Sequence, residues 1–204
     1  MLSDTPVILE NEKVLLRPLE VSDFDNLISF VINEPDIWKY SLVPLGTKDE
    51  LTKYIADTED ARKHGKEYAF IVFDKVKNKF AGSTRFYDIQ LQNKSLQLGY
   101  TWYGKEFQGT YLNKNCKYLL LEYAFETLGL ERVEFRADND NERSKKAMLS
   151  IGCVAEGILR NHLPTATGGR RDSIIPVSYT HLRAHETVLD LVCRLLLEKK
   201  KITN

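Results

Sequence analysis

Cysteine is scarce in this chain: Cys116, Cys153 and Cys193 are the only three in 204 residues, and none belongs to a CxxC pair. That excludes a disulfide framework and a thiol-rich zinc site, and it suits a reducing compartment. The four histidines, His64, His162, His181 and His185, form no metal motif, and only the last two stand four apart. Excess charge of either sign is also missing, with 29 Lys plus Arg against 29 Asp plus Glu. A chain so balanced lacks the electrostatic footprint of a nucleic-acid or membrane-surface binder. No apolar run approaches the length of a membrane span, and the beginning lacks the apolar segment of a secretion signal. The expectation is a soluble cytoplasmic protein whose main domain buries its core without disulfides or metals.

What the chain does carry is a run of well-punctuated elements. Val14 to Leu16 reads as a strand stopped by Pro18; Ser22 precedes an amphipathic helix with Phe24, Leu27, Ile28 and Val31 on one face. Thr47 and Glu50 match a capping box opening a second helix, which Gly65 ends. Tyr68 to Phe73, Lys79 to Tyr87 and Ser95 to Tyr103 read as three strands joined by turns. A helix after Asn113 runs to Gly129, Arg132 to Ala137 is a strand, and Asn141 caps a helix ending near Gly152. Val154 to Arg160 and Asp172 to Ile175 close the pattern. The order predicts an α/β (α+β) fold: a mixed sheet covered by helices, without repeats.

The most informative segment is Trp102 to Ala124, in which a strand passes through a turn with Gly104 and Gly109 into a helix. The first turn of a helix leaves N–H groups unpaired under the positive end of the macrodipole, and glycine lets backbone approach a ligand closely. Anion capture by this loop is therefore the first functional expectation, with an ordinary strand-to-helix turn as the competing reading.

The ordered set Val14-Leu-Leu-Arg17-Pro18, Leu98-Gly-Tyr-Thr-Trp102, Gln108-Gly-Thr-Tyr-Leu-Asn113, Asn141-Glu-Arg-Ser144 and Glu156-Gly-Ile-Leu-Arg160 resembles the GNAT superfamily of acyl-CoA-dependent N-acetyltransferases. Its nearest branch is the ribosomal-protein-acetyltransferase-like (RimJ/RimL) type. The resemblance covers about Lys13 to Ile175. It implies a mostly antiparallel mixed sheet with a splayed central strand pair and flanking helices. It further implies that Ser95 to Tyr103 diverges from Arg132 to Ala137, with the thioester arm of acetyl-CoA in the opening. Backbone groups of Thr101, Trp102 and Tyr103 would pair with the pantetheine. The N–H groups of Gln108, Gly109, Thr110, Tyr111, Leu112 and Asn113 would hold the pyrophosphate. Asn141 would hydrogen-bond the pantetheine, and Ser144 would protonate the departing thiolate. Tyr111 departs from the small residue usual in such a loop, and Gln97 stands where relatives often carry a glutamate base.

The implied reaction is direct attack of an amine on the thioester, with a backbone N–H between Leu98 and Thr101 polarising the carbonyl. No metal and no covalent enzyme intermediate is required, and Cys116 and Cys153 read as packing positions. Glu106 and Glu156 are the acidic candidates for a base; an enzyme lacking a strong one suits protein α-amino groups or small amines. The partners implied are acetyl-CoA and such an acceptor, with no nucleic acid or membrane, in a monomer or homodimer. Arg17 and His162 are candidates for the acceptor side or simply structural. Lys114 and Lys117 read as phosphate-side charges or solvated helix lysines, and Trp38 and Tyr40 as pocket or core. A catalytically silent acyl-CoA-binding or regulatory domain of the same fold is the alternative, favoured by Gln97 and Tyr111.

These expectations assign residues 1–176 to the acetyltransferase domain and set residues 177–204 apart. The latter stretch, with Val188, Leu191, Val192, Leu195 and Leu196 at helical spacing, resembles translated cloning or adapter sequence; a natural docking helix is the alternative. Pro176 predicts an interruption of strand pairing at that boundary.

Overall fold

Alternating strands with short turns and helices with defined caps give a layered α/β molecule, described by a computed structural model for residues 6–43, 45–165 and 168–179. The chain order is β1 (Leu9–Glu10), β2 (Val14–Pro18), α1 (Phe24–Asn33), α2 (Lys48–Lys63), β3 (Tyr68–Asp74), β4 (Lys79–Gln90), β5 (Ser95–Tyr103), α3 (Leu112–Glu122), β6 (Arg132–Glu134), β7 (Ala137–Asp138), α4 (Glu142–Leu149), β8 (Val154–Pro164) and β9 (Arg170–Tyr179). The strands form one sheet in the order β1-β2-β3-β4-β5-β6-β9, with β7 and β8 also paired to β9. Every pairing is antiparallel except β5 with β6.

Local chemistry explains most element ends. The Thr47 hydroxyl accepts from the Glu50 N–H and the Glu50 carboxylate returns a bond to the Thr47 N–H, a reciprocal cap worth about 1 kcal/mol. Ser22 lies in a tight turn, Val21–Asp23, and α1 begins one residue later than its sequence pattern places it. Leu16, Leu27, Leu51, Ile55, Phe70, Ile71, Phe86, Leu98 and Leu120 are fully enclosed between the sheet and the helices. Burial of each such side chain contributes roughly 2 kcal/mol.

Adjacent strand residues point to opposite faces, and this fixes which helix covers which face. Arg85 stacks over Tyr54 of α2, whereas its neighbour Thr84 meets Lys117 of α3. Helices α2 and α3 therefore lie on opposite sides of β4.

The central irregularity is where β5 leaves β6. Their parallel pairing runs only through Ser95–Arg132, Leu96–Val133 and Gln97–Glu134. Beyond Gln97, β5 continues alone on that edge to Tyr103. Across the gap the expected single strand from Arg132 to Ala137 is two pieces, β6 and β7, both aligned on β9. On its other edge β5 carries a bulge. Ser83 faces Trp102 and Arg85 faces Gly99, so Tyr100 and Thr101 together oppose Thr84. Tyr100 adopts a left-handed φ of 48°, a conformation costing an L-residue on the order of 1 kcal/mol or more.

The expected stop at Pro176 is not there: β9 passes through it to Tyr179, which faces Arg132. Proline lacks a donor but keeps its acceptor, and the Pro176 carbonyl takes the Phe135 N–H at 2.8 Å. A register shift in β8 between Ala155 and Gly157 lies opposite the proline and absorbs the missing ladder bond. The sheet thus extends past the expected domain end at residue 176. The tail helix pattern, His181 and His185 lie outside the described residues.

Candidate active site

The diverging strands open onto a cavity of about 270 Å³. One end is the loop after β5. There Gly109 takes a φ of 71°, with nothing within 4 Å of where a Cβ would stand. Tyr111 has an ordinary helical φ of −63°, so the departure at this position demands no unusual backbone. Its side chain turns away from the loop, and its hydroxyl donates to both oxygens of buried Asp74 at 2.7 and 2.8 Å. Asp74 also accepts the N–H groups of Val76 and Lys77 at 3.0 Å. The loop is thereby tied to the β3–β4 hairpin, and the Tyr111 hydroxyl pKa is pushed up to about 12 by burial and by that carboxylate.

Four of the six expected loop donors are free. The Gln108 N–H is bound to the Lys105 carbonyl at 3.3 Å and the Leu112 N–H to the Thr110 hydroxyl at 3.2 Å. Among the described residues, no acceptor takes the N–H groups of Gly109, Thr110, Tyr111 or Asn113. The Gln108 side chain donates to the Tyr103 carbonyl at 2.8 Å and accepts from Arg143, joining the loop to α4. Asn141 caps α4: its side chain accepts the Ser144 N–H at 3.0 Å. Asn141 and Ser144 both border the cavity with Thr101, Trp102, Tyr103, Gln108, Gly109 and Asn113. The ring of Trp102 packs edge-on against Phe30 and Trp38.

Sequence reasoning named Lys117 without its place and missed the other polar residues that reach the cavity from the flanks. Lys117 is not a solvated helix lysine: it is 5% exposed, with its ammonium on the Thr101 hydroxyl at 2.8 Å and 5.5 Å from the Phe135 ring centre. Burial pushes its pKa down to about 8. The spacing from Cys116 to Leu120 held the signal, because position 117 falls among buried helix residues. Asp138 and Arg171 also border the cavity, as do Trp38, Tyr40, Tyr87, Tyr100 and Arg136. Asp138 is the one carboxylate on that wall among the described residues.

Other candidates are accounted for elsewhere. Glu106 pairs with Lys77 and Lys79, and Glu156 grips Arg132 at 2.7 and 2.8 Å. Neither borders the cavity. Gln97 donates to Asp88 at 2.6 Å. Arg17 is locked to Asp23 by two hydrogen bonds of 2.6 and 2.8 Å. Cys116 and Cys153 are buried with thiol pKa values pushed up to about 12, desolvation being the main cause. They are packing groups, not nucleophiles.

Residues 13–154 match the acetyltransferase (GNAT) domain family. The chain belongs to the GNAT acetyltransferase family. The "Uncharacterized N-acetyltransferase p20" of Bacillus licheniformis is 26% identical over 159 residues, 76% of this chain and 86% of that protein. A GCN5-related N-acetyltransferase from Brucella melitensis superposes with a TM-score of 0.78 at 25% identity, covering 87% of this chain and 80% of that one. The ribosomal-protein-S5-alanine acetyltransferase of Vibrio fischeri shares the fold at a TM-score of 0.71 and 21% identity, covering 85% and 96%. As a GNAT acetyltransferase, this protein uses acetyl-CoA as co-substrate and an amine as acceptor. The resemblance read from the motifs agrees with this family, and the branch is represented among the relatives by the "Putative ribosomal N-acetyltransferase YdaF" of Bacillus subtilis, 27% identical over 158 residues, 75% of this chain and 84% of that protein.

Proposed function

We propose that this N-acetyltransferase acts in the cytoplasm on α-amino groups, of protein N-termini or of small amines, rather than on lysine side chains. The observation that carries the reading is the composition of the cavity wall. Among the described residues Lys117, Arg136, Arg143 and Arg171 border it against a single carboxylate, Asp138. Such a wall repels a lysine ammonium and offers no strong base to deprotonate it. An α-amino group has a pKa near 8, so about a tenth is neutral at pH 7, against about one lysine in 2,500. The weaker base needs less help.

The residues fit acetyl-CoA. Free N–H groups at Gly109, Thr110, Tyr111 and Asn113, with Arg143 beside them, suit a diphosphate. The unpaired edge of β5 at Thr101, Trp102 and Tyr103 suits an amide-bearing arm laid along it like an added strand. Bound acetyl-CoA supplies an activated acyl carbon. The chain contributes position, an N–H in the bulged stretch to polarise the carbonyl, and the Ser144 hydroxyl as proton donor to the leaving sulfur. This reading draws on residues up to Tyr179 and assigns no role to the tail.

The test compares thiol release from acetyl-CoA with two peptide sets at pH 7. One set has free N-termini and no lysine; the other has blocked N-termini and one lysine. Faster turnover of the first set is expected, and equal turnover of both would overturn the preference.

A further inference from the structure

Residues aligned across β4, β5, β6 and β9 place one set of side chains on the α2 face of the cleft. Tyr87 is opposite Gln97, Gln97 opposite Glu134 and Glu134 opposite Val177. Steps of two along β6–β7 and β9 then put Glu134, Arg136, Asp138, Ser173 and Arg171 on that same face. The charges there are mostly matched: Arg85 is paired with Glu67 and Arg136 with Glu134.

Arg171 is the exception. It is 8% exposed, and Ser173 Oγ, 3.1 Å from its Nε, is its one hydrogen-bond partner among the described residues. Arg171 borders the cavity, and among the described residues no carboxylate hydrogen-bonds it; Asp138 acts on it only through space. A buried guanidinium without an anion is costly unless a ligand supplies one. The surroundings reinforce the deficit: desolvation is the first cause holding the neighbouring His162 below the usual histidine range, and Arg136, Arg171 and Arg170 add to it.

Asp138 sits beside it. Asp138 faces Ser173 across the strand pair, and Arg171 is two residues further along β9, a diagonal neighbour at roughly 7–8 Å between backbones. The two groups border one cavity wall and feel each other's charge, yet among the described residues they form no ion pair.

We propose that Asp138 and Arg171 form a subsite for an amine that also carries an anionic group, carboxylate or phosphate, close to its nitrogen. The amine faces Asp138 and the anion takes the open N–H pair of Arg171. This deepens the α-amino reading above and rests on it. It narrows the acceptor first to a peptide with an acidic first residue; a free amino acid or aminoalkyl phosphate fits the subsite but carries a more basic amine, less of it neutral at pH 7.

The experiment measures thiol release with matched pairs: alanine against alaninamide, phosphoethanolamine against ethanolamine, and Glu-Ala-amide against Gln-Ala-amide. With each kcat/KM referred to the concentration of unprotonated amine, the anionic member of at least one pair is expected to exceed its neutral counterpart about ten-fold or more. Which pair responds distinguishes carboxylate from phosphate and small molecule from peptide. Arg171→Met should collapse that ratio to within about two-fold through the KM of the anionic member, with acetyl-CoA affinity unchanged. Because it removes a buried charge that no carboxylate hydrogen-bonds, its melting temperature should stay close to that of the parent. Ser173→Ala, which frees Nε, is the second variant should Arg171→Met fail to fold, and it should lower the ratio partially. Ratios near unity in the parent, or equal losses on neutral and anionic amines in the variant, would overturn the proposal. If no amine releases thiol, calorimetry of the same pairs with CoA-loaded protein decides. Selective binding of anionic members then sustains the subsite while the transfer reading fails, and indifference sinks the subsite.

Discussion

The ammonium of Lys117 bridges the two strands that diverge: its Nζ donates to Thr101 of β5 at 2.8 Å and lies over the ring of Phe135, just past β6. Among the described residues no carboxylate is within ion-pair distance, so the fold holds a cation at the floor of its cleft against the desolvation cost. With the native pKa at about 8 and the ordinary value at 10.5, the unfolded chain binds more proton between those limits. Stability from this group therefore rises with pH across that window and is lowest below it. The difference corresponds to about 3 kcal/mol at most. Lys117→Met should raise the melting temperature at pH 7, with the gap to the parent narrowing by pH 10. A pH-independent gap would show that Lys117 binds its proton equally in the folded and unfolded chain, its charge being compensated in the fold.

Tyr111→Phe removes the hydroxyl that satisfies buried Asp74. The expected loss is about 1–3 kcal/mol in urea unfolding. Acetyl-CoA affinity, measured by calorimetry, should weaken several-fold because the loop loses its tie to the hairpin. An unchanged affinity would mean that the loop holds its shape without that tie.

Asn141 and Ser144 share a hydrogen bond but separate by substitution. Asn141→Ala deletes the α4 cap and should cost about 1 kcal/mol of stability as well as activity. Ser144→Ala keeps the N–H that donates to Asn141, so its melting temperature should hold. Its kcat should fall by about 100-fold if the hydroxyl protonates the leaving thiolate. Retained kcat would remove Ser144 from the chemistry.

Gln97→Glu does not create a better enzyme. Gln97 is buried and donates to Asp88 at 2.6 Å; a glutamate would set two carboxylates at that distance. One of them must take up a proton or separate. A lower melting temperature above pH 6, recovering in acid, is expected, with no gain in turnover on lysine peptides.

The order of elements was legible because periodicity, caps and glycine stops agree along the chain, as at Thr47–Glu50 and Gly65. Loop 108–113 and Asn141–Ser144 were legible as local motifs. Asp138 and Arg171 were not, and Lys117 was read only as a phosphate-side or solvated lysine. Their importance comes from which neighbours the sheet sets beside them, and one-dimensional spacing does not say that a helix lysine reaches a threonine on another element. The role of Pro176 was misjudged for a related reason. A missing donor is disruptive only where the facing strand lacks a bulge to absorb it, and that bulge at Ala155–Gly157 lies some twenty residues away.

The extra residue at Tyr100 sets the parity of everything after it on β5. Counting strictly by twos from Gln97 would aim Thr101 toward α2 and Trp102 toward α3; in the molecule Thr101 meets Lys117 of α3, while Trp102 joins Phe30 of α1. Straightening the bulge into regular strand with every residue retained would hand the buried ammonium an indole in place of a hydroxyl and leave the aromatic cluster a threonine. The left-handed kink, costly to a tyrosine, is what lets one strand serve a polar crevice and an oily layer within three residues.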